Sequence, residues 1–200
     1  MSYICTKFIN MSAEFIYDKE YNTITFSQYE INNNEYENCI FNHCDFTDCN
    51  FVGAIFVDCT FNHCNFKETK IGHVALRGVQ FNDCNFTAVN FAMTDQKIYE
   101  FHFTNCLLDY SMFYKLKLKR IQFTNCSMVS VDFMESDLTE ALFDNCNLRL
   151  AVFSDTDLTK ADLYSSHNFS IHPVKNKIKK AIFSNENVKG LLEDFDIIIK

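Results

Sequence analysis

The sequence predicts a solenoid, a chain that winds in four-sided coils with one group of five residues on each side. The first observation behind this prediction is a large apolar residue at every fifth position, in a first series from Tyr36 to Phe91 and a second from Phe103 to Leu163. The second is a repeat of 20 residues, as in the Phe-Asn-His-Cys segments at 41–44 and 61–64. Neither an α-helix nor a strand keeps a five-residue period on one face, so each group must stack on its equivalent 20 residues away.

A smaller inward position lies two residues before each central apolar residue. It holds Cys, Ala or Val in most groups, and nine of the ten cysteines occupy it, Cys5 being the exception. Metal sites need cysteines or histidines that converge on one point, whereas neighbouring cysteines here are five residues apart and lie on different sides of the coil. Buried free cysteine packs as a small hydrophobic residue. We therefore predict that these nine cysteines fill the core, with no disulfide, metal or cofactor.

These groups of five resemble the pentapeptide repeat family, whose consensus is A-(D/N)-L-x-x. Close matches lie at 136–138 (Ser-Asp-Leu), 156–158 (Thr-Asp-Leu) and 161–163 (Ala-Asp-Leu), and the resemblance covers roughly residues 21–188. It implies an all-β solenoid, a right-handed quadrilateral β-helix of about eight coils, with the central and small residues directed inward. The second series alternates Phe with Leu or Met, so opposite sides of the coil would carry residues of the same size.

The predicted organisation has three parts. Residues 1–20 form an N-terminal cap or flexible arm, residues 21–188 the β-helix, and residues 189–200 a segment for capping and dimerisation. Two extra residues between Met93 and Phe101 shift the phase of the repeat, and the segment from Ser165 to Lys180 is irregular. Basic residues cluster from Lys115 to Arg120 and from Lys175 to Lys180, and the sequence assigns neither cluster a role.

The C-terminal segment is predicted to cap the solenoid, because an open apolar end and an unpaired strand edge invite aggregation. Ser184–Asn187 offers N-cap side chains, Val188–Phe195 predicts a short helix, and Asp196–Lys200 predicts a strand. This tail looks like the C-terminal helix and strand through which Qnr-type (quinolone resistance) and MfpA-type pentapeptide repeat proteins dimerise tail to tail. The resemblance implies a homodimer with the candidate interface residues Leu191, Leu192, Phe195, Ile197, Ile198 and Ile199.

The same resemblance implies a function. Qnr-type proteins form an elongated acidic dimer that imitates duplex DNA and engages the type II topoisomerases DNA gyrase and topoisomerase IV. The net charge of this chain is −8, and acidic residues outnumber basic ones between Ile121 and Tyr164. The candidate partner-binding surface, which we call the acidic stripe, consists of Asp132, Glu135, Asp137, Glu140, Asp155 and Asp157.

A second hypothesis is a generic scaffold that binds another protein and has no role at a topoisomerase. This hypothesis predicts a mixed-charge or apolar side in place of an acidic one. The candidates for an outward apolar patch are Tyr110, Tyr114, Val129, Met134 and Leu150.

An enzyme is the third class, and the sequence argues against it. It has no recognisable nucleophile motif and no Gly-rich phosphate loop, so we predict no catalytic residues. No apolar run approaches the ~18 residues of a membrane span, and the N-terminus lacks the layout of a signal peptide. We therefore expect a cytoplasmic protein that binds neither membrane, nucleic acid nor a small-molecule substrate.

Overall fold

The computed structural model describes residues 13–95, 99–195 and 197–198, and ten short strands form its framework. The strands are Phe15–Tyr17 (β1), Glu20–Asn22 (β2), Glu35–Glu37 (β3), Ile40–Asn42 (β4), Ile55–Val57 (β5), Thr60–Asn62 (β6), Ala75–Asn82 (β7), Tyr99–Thr104 (β8), Gln122–Thr124 (β9) and Leu142–Asp144 (β10). Most have only three residues, because a group of five leaves room for three extended residues between two corners.

All strand pairs are parallel and join residues one coil apart. β1, β3, β5 and β7 form one ladder, and β2, β4, β6, β7, β8, β9 and β10 form a second. Phe61 faces Phe41 in the preceding coil and Phe81 in the following one, which is the 20-residue register that the sequence predicts. A parallel bridge between Asp162 and Ile182 continues this register beyond β10. The chain is therefore a parallel β-solenoid, and the predicted fold class is confirmed.

Four columns of central residues fill the interior, and each defines one side of the solenoid. Side A is defined by Tyr36, Phe56, Leu76, Leu118, Leu138 and Leu158, and the opposite side C is defined by Phe46, Phe66, Phe86, Leu108, Met128 and Leu148. Side B is defined by Phe41, Phe61, Phe81, Phe103, Phe123 and Phe143, and the opposite side D is defined by Phe51, Ile71, Phe91, Phe113, Phe133 and Phe153. Phenyl rings stack along each column, as Phe66 does on Phe86 with ring centroids 4.4 Å apart. After residue 103, sides B and D carry Phe whereas sides A and C carry Leu or Met, so the predicted alternation of size around the coil is confirmed.

Most corner residues, which lie two positions after a central residue, adopt a left-handed backbone conformation. Few of them are glycine: φ is 56° at Glu135, 59° at Leu150 and 54° at Asp155. Asn and Asp tolerate this conformation better than other non-glycine residues. The left-handed backbone at the corner therefore explains why Asp stands at position 155 of the acidic stripe. It does not explain why Glu stands at position 135.

The two extra residues before Phe101 are accommodated by a shift in pairing between β7 and β8. Tyr99 faces Leu76, but Phe101 faces Val79, so the register changes within this pair. Phe103 then faces Phe81, and the regular 20-residue register resumes one coil later. Residues 96–98 lie outside the described residues.

The solenoid begins earlier than the predicted boundary at residue 21. β1 and most of β2 fall within the segment predicted to be a cap or arm, and Ile16 faces Tyr36 in the regular register. Ile16 has the right apolar character for a central position, but the residue two before it is Glu14, which conceals the repeat in the sequence. Residues 1–12, which include Cys5, lie outside the described residues.

The C-terminal end is closed by two short 3-10 helices, Val188–Leu191 and Glu193–Phe195, instead of one continuous helix. The Gly190 carbonyl accepts a hydrogen bond from the Ile171 N–H at 2.9 Å, which ties this lid to the last coil. The lid approaches so closely that a Cβ on Gly190 would lie 2.3 Å from the Phe169 carbonyl oxygen. Glycine is therefore required at position 190.

The predicted C-terminal strand is not formed at Ile197 and Ile198, the two of its residues that the structure describes. Both side chains are exposed. Residues 196, 199 and 200, and with them the interface candidate Ile199, lie outside the described residues.

Candidate functional site

The nine repeat cysteines are buried, as predicted, and the structure has them as free thiols. Six of them form one column between sides B and C: Cys44, Cys64, Cys84, Cys106, Cys126 and Cys146. Their thiols donate to carbonyls of the preceding coil, for example from Cys64 Sγ to the Phe41 oxygen at 3.3 Å. Burial raises the pKa of Cys49 to about 11 and that of Cys59 to about 12, so these thiols stay protonated at neutral pH. These cysteines pack in the core and serve as donors there.

The described residues contain no group of three or more His, Cys, Asp or Glu that could hold a metal ion. His43 and His63, which stand in one outward column, stack with ring centroids 4.7 Å apart and an angle of 5° between the rings. Within the described part of the chain, no helix is long and apolar enough to cross a membrane.

The acidic stripe occupies two adjoining sides of the later coils. Asp137 and Asp157 precede central residues of side A and face one another in a parallel bridge, and Asp132 precedes a central residue of side D. Glu135 and Asp155 share the corner that follows side D, and Glu140 lies on the corner that follows side A. The structure therefore brings the six predicted residues together on one edge of the solenoid.

Basic residues from neighbouring coils form ion pairs with four of the six residues of this stripe. Lys115 Nζ lies 3.5 Å from a carboxylate oxygen of Glu135, and Lys119 Nζ lies 3.5 Å from one of Asp137. Lys177 Nζ lies 3.2 Å from a carboxylate oxygen of Asp157. Exposed ion pairs contribute little to stability, but these pairs change the net charge that this edge presents. Sides A and D carry mixed charge here.

Glu140 has two basic partners, one in the coil before it and one in the coil after it. Arg120 Nε donates to one of its carboxylate oxygens at 2.9 Å, and Lys160 Nζ donates to the other at 2.6 Å. The hydrogen bonds from Lys160 and Arg120 lower the pKa of Glu140 to about 2. Partial burial acts in the opposite direction at Asp157, but hydrogen bonds from Thr159 and Lys177 still lower the pKa of this carboxyl group. The two carboxylates are thus committed to contacts within the chain.

The stripe aspartates that precede central residues also have a local structural role. Asp132 Oδ1 accepts a hydrogen bond from the Met134 N–H at 2.8 Å, and Asp137 Oδ1 accepts one from the Thr139 N–H at 3.1 Å. A short acceptor at this position closes a turn over the next corner. These hydrogen bonds to the backbone are therefore sufficient to explain why Asp stands at the two positions, whether or not a partner binds there.

A different set of acidic residues, in the first coils, has no ion-pair partners among the described residues. From residue 13 to residue 66 the chain has nine carboxylates and a single basic residue, Lys19. None of the nine forms an ion pair with a described residue. We call them the N-terminal acids: Glu14, Asp18, Glu20, Glu30, Glu35, Glu37, Asp45, Asp48 and Asp58. Sequence reasoning missed this surface, although a charge count over the first coils would have found it.

The predicted apolar patch is only partly formed, since Val129 is buried. Tyr110, Met134 and Leu150 are exposed, and Tyr114 is half-buried.

Among the interface candidates of the tail, Leu191 and Leu192 are half-buried. Phe195, Ile197 and Ile198 expose 45, 53 and 87% of their surface. The Phe195 ring also contacts the ring of His172, at a centroid distance of 5.4 Å. The tail thus combines a packed lid with three outward apolar side chains.

Comparisons with known proteins agree with this architecture. A family model described as a pentapeptide repeat region matches residues 54–121 and 96–167, and a second, described as pentapeptide repeats (8 copies), matches residues 37–67. No curated protein matches the chain.

Solved structures of repeat proteins match most of the chain. One is a trypsin-treated form of QnrB1, a plasmid-mediated fluoroquinolone resistance protein, which is 15% identical with a TM-score of 0.51 over 94% of this chain and 100% of that one. Another is HetL, a pentapeptide repeat protein involved in heterocyst differentiation regulation from the cyanobacterium Nostoc sp., which is 11% identical with a TM-score of 0.41 over 86% of each chain. At 15% identity the likeness to this form of QnrB1 concerns the fold alone.

Proposed function

This chain belongs to the pentapeptide repeat family, and from that premise we propose that it is a non-catalytic protein-interaction module. The observation that carries the proposal is an interior filled by side chains, together with outward side chains that are hydrogen-bonded from coil to coil. The central phenylalanines of sides B and D leave almost no surface exposed, Phe143 none of it. Outward amides are joined from coil to coil, as from Asn62 Nδ2 to Asn42 Oδ1 at 2.9 Å. A rigid surface of this kind loses little conformational entropy when a partner binds.

Type II topoisomerases are the partner class that we propose to test first. A basic DNA-binding surface would attract a rod that carries uncompensated carboxylates, and such attraction is screened over about 8–10 Å at physiological salt. The acidic stripe would have to exchange its internal ion pairs for pairs with the partner. The N-terminal acids carry no such cost, so they are the stronger candidate for contact with a basic partner.

Two variants that each lose four negative charges separate these surfaces. The measurement is DNA supercoiling by purified gyrase, with and without a fluoroquinolone, together with direct binding at low salt. The stripe variant carries Glu135→Gln, Asp137→Asn, Asp155→Asn and Asp157→Asn. The N-terminal variant carries Glu35→Gln, Glu37→Gln, Asp45→Asn and Asp48→Asn.

We expect gyrase binding by the wild type and a larger loss in the N-terminal variant than in the stripe variant. A larger loss of binding in the stripe variant would indicate that gyrase binds the acidic stripe, as the sequence predicts. If the wild type does not bind gyrase or topoisomerase IV at low salt, the function is that of a scaffold for another protein.

We also propose that two copies associate through the tail. The support is the exposed apolar surface of Phe195, Ile197 and Ile198 beside a lid that is already packed. Light scattering should give a dimer at micromolar concentration for the wild type and a monomer for Ile198→Asp. Val174→Asp is the matched control, because Val174 is 81% exposed and lies outside the tail. If the wild type is a monomer, the tail serves only to cover the last coil.

A further inference from the structure

The last coil of the solenoid has an open strand edge on sides A and B. In the coil before it, three N–H groups donate to carbonyls of the last coil, those of Leu158, Lys160 and Leu163. One coil later the equivalent N–H groups belong to Ile178, Lys180 and Phe183, and none of them donates to a described acceptor. The carbonyls of Asn176 and Ala181 likewise accept no hydrogen bond from a described residue. These main-chain groups are available to a further strand.

The C-terminal lid is attached to a different part of the last coil. The Gly190 carbonyl accepts from the Ile171 N–H, and the Phe195 ring contacts the ring of His172. Residues 197–198 of the tail, which the structure describes beyond the lid, form no bridge with the edge. The lid therefore closes the end of the solenoid without pairing with the main chain of sides A and B.

Lysine side chains surround this edge. Residues 163–185 include no Asp or Glu and four lysines, Lys175, Lys177, Lys179 and Lys180, all of them exposed. Lys177 Nζ lies 3.2 Å from a carboxylate oxygen of Asp157 in the coil before. The other three have no ion pair with a described residue. The edge thus combines unpaired main-chain groups with uncompensated positive charge.

We propose that an extended, acidic segment of a partner protein binds here as an added β-strand. Such a strand gains main-chain hydrogen bonds along the edge, and its alternate side chains provide specificity. Lys177 and Lys179 flank the central residue of side A, so both are outward and match carboxylates at alternate positions of the segment. The site gives the basic cluster Lys175–Lys180 a role that the repeat does not require. It rests on the proposed interaction module, but its surface and charge differ from those proposed for gyrase.

The test is an NMR titration of the full chain with a short synthetic peptide in which glutamate alternates with valine. We expect saturable shifts centred on the amide signals of Ile178 and Lys180, because these N–H groups gain acceptors. Two matched peptides carry N-methyl groups on either the glutamate or the valine nitrogens. One of them should lose binding, because successive N–H groups of a strand point to opposite edges. A peptide with lysine in place of glutamate should not bind.

Lys179→Gln combined with Lys180→Gln should weaken binding of the glutamate peptide about fivefold, since each exposed ion pair contributes little. The matched control is Lys19→Gln combined with Lys70→Gln, which alters two exposed lysines of the first coils that have no ion pair with a described residue. This control should leave the affinity unchanged.

Three results would overturn the proposal: no saturable shift at millimolar peptide, equal binding of the parent and both methylated peptides, or equal weakening by the two double variants. Shifts of the same amides that follow protein concentration without peptide would also overturn it, because a second copy would then occupy the edge. No gyrase is present in this experiment, so its outcome is independent of the supercoiling assay.

Discussion

The first coils, residues 13–91, and the later coils, residues 101–183, share a backbone but differ in how their core is filled. In the first coils, Phe61 stacks on Phe41 at 4.6 Å and also meets the rings of Phe56 and Phe66 on the two adjacent sides, each at 5.3 Å. In the later coils, leucine or methionine stands on both sides adjacent to Phe113, Phe123, Phe133, Phe143 and Phe153. The same cross-section is therefore built from two different sets of side chains.

The two regions differ more strongly on their surface. Five of the seven ion pairs among the described residues lie between residues 115 and 177. There, opposite charges fall 20 residues apart, as Lys115 and Glu135 do. In the first coils, Glu35 faces Ile55 and Glu37 faces Val57, so neither of these two carboxylates faces a cation in the following coil. Charge on a solenoid must therefore be compared between coils, because residues 20 apart are neighbours.

The largest expected effect comes from the core, with Phe61→Ala in the first coils and Phe143→Ala in the later coils. Each should lower the free energy of unfolding by about 3–5 kcal/mol, because a buried ring is lost and a cavity remains. Phe61→Ala should cost more, since aromatic pairs add about 0.5–1.5 kcal/mol beyond burial. Urea unfolding of the two variants and the wild type measures both values. Equal losses would mean that the all-aromatic core gives the first coils no additional stability.

Most of this architecture could be predicted from the sequence. The five-residue and 20-residue periods predict the central columns, the buried cysteines and the register of Phe41 on Phe61. They could not predict where the solenoid starts, because the group around Ile16 lacks a small residue at position 14. The left-handed corners are also hidden, since residues as different as Leu150 and Lys160 adopt the same conformation.

The candidate site was predicted less well, for an electrostatic reason. A count of charges along residues 121–164 leaves out Lys115, Lys119 and Arg120, which precede that segment, and Lys177, which follows it. These four are the ion-pair partners of the acidic stripe, together with Lys160. The stacking that the repeat predicts locates these partners only when basic and acidic residues are both placed on it.

A second, smaller effect on stability is expected from a substitution in the lid, compared with a matched one in the repeat. Gly190→Ala should lower the free energy of unfolding by about 1–3 kcal/mol, because the added Cβ would meet the carbonyl and the ring of Phe169. Gly72→Ala is the matched control in the first coils, since its nearest neighbour, a Val52 methyl group, is 3.8 Å away. Thermal unfolding of both variants gives the comparison. Equal stability of the two would show that the lid is not packed on the last coil.

The central claim is that charges in the later coils pair from one coil to the next, and Glu140 tests it most directly. Its pKa is lowered from 4.5 to about 2 by Lys160 and Arg120. A folded-state pKa below the unfolded value means that the contribution to stability is complete above about pH 4.5 and is lost as the pH falls toward 2.

The measurement is a carbon-13 NMR titration of the Glu140 carboxyl group in the wild type, in Lys160→Met and in the control Lys179→Met. We predict a midpoint near pH 2 in the wild type and in the control, and a midpoint shifted toward 4.5 in Lys160→Met. A wild-type midpoint near 4.5, unchanged by Lys160→Met, would contradict pairing between the coils.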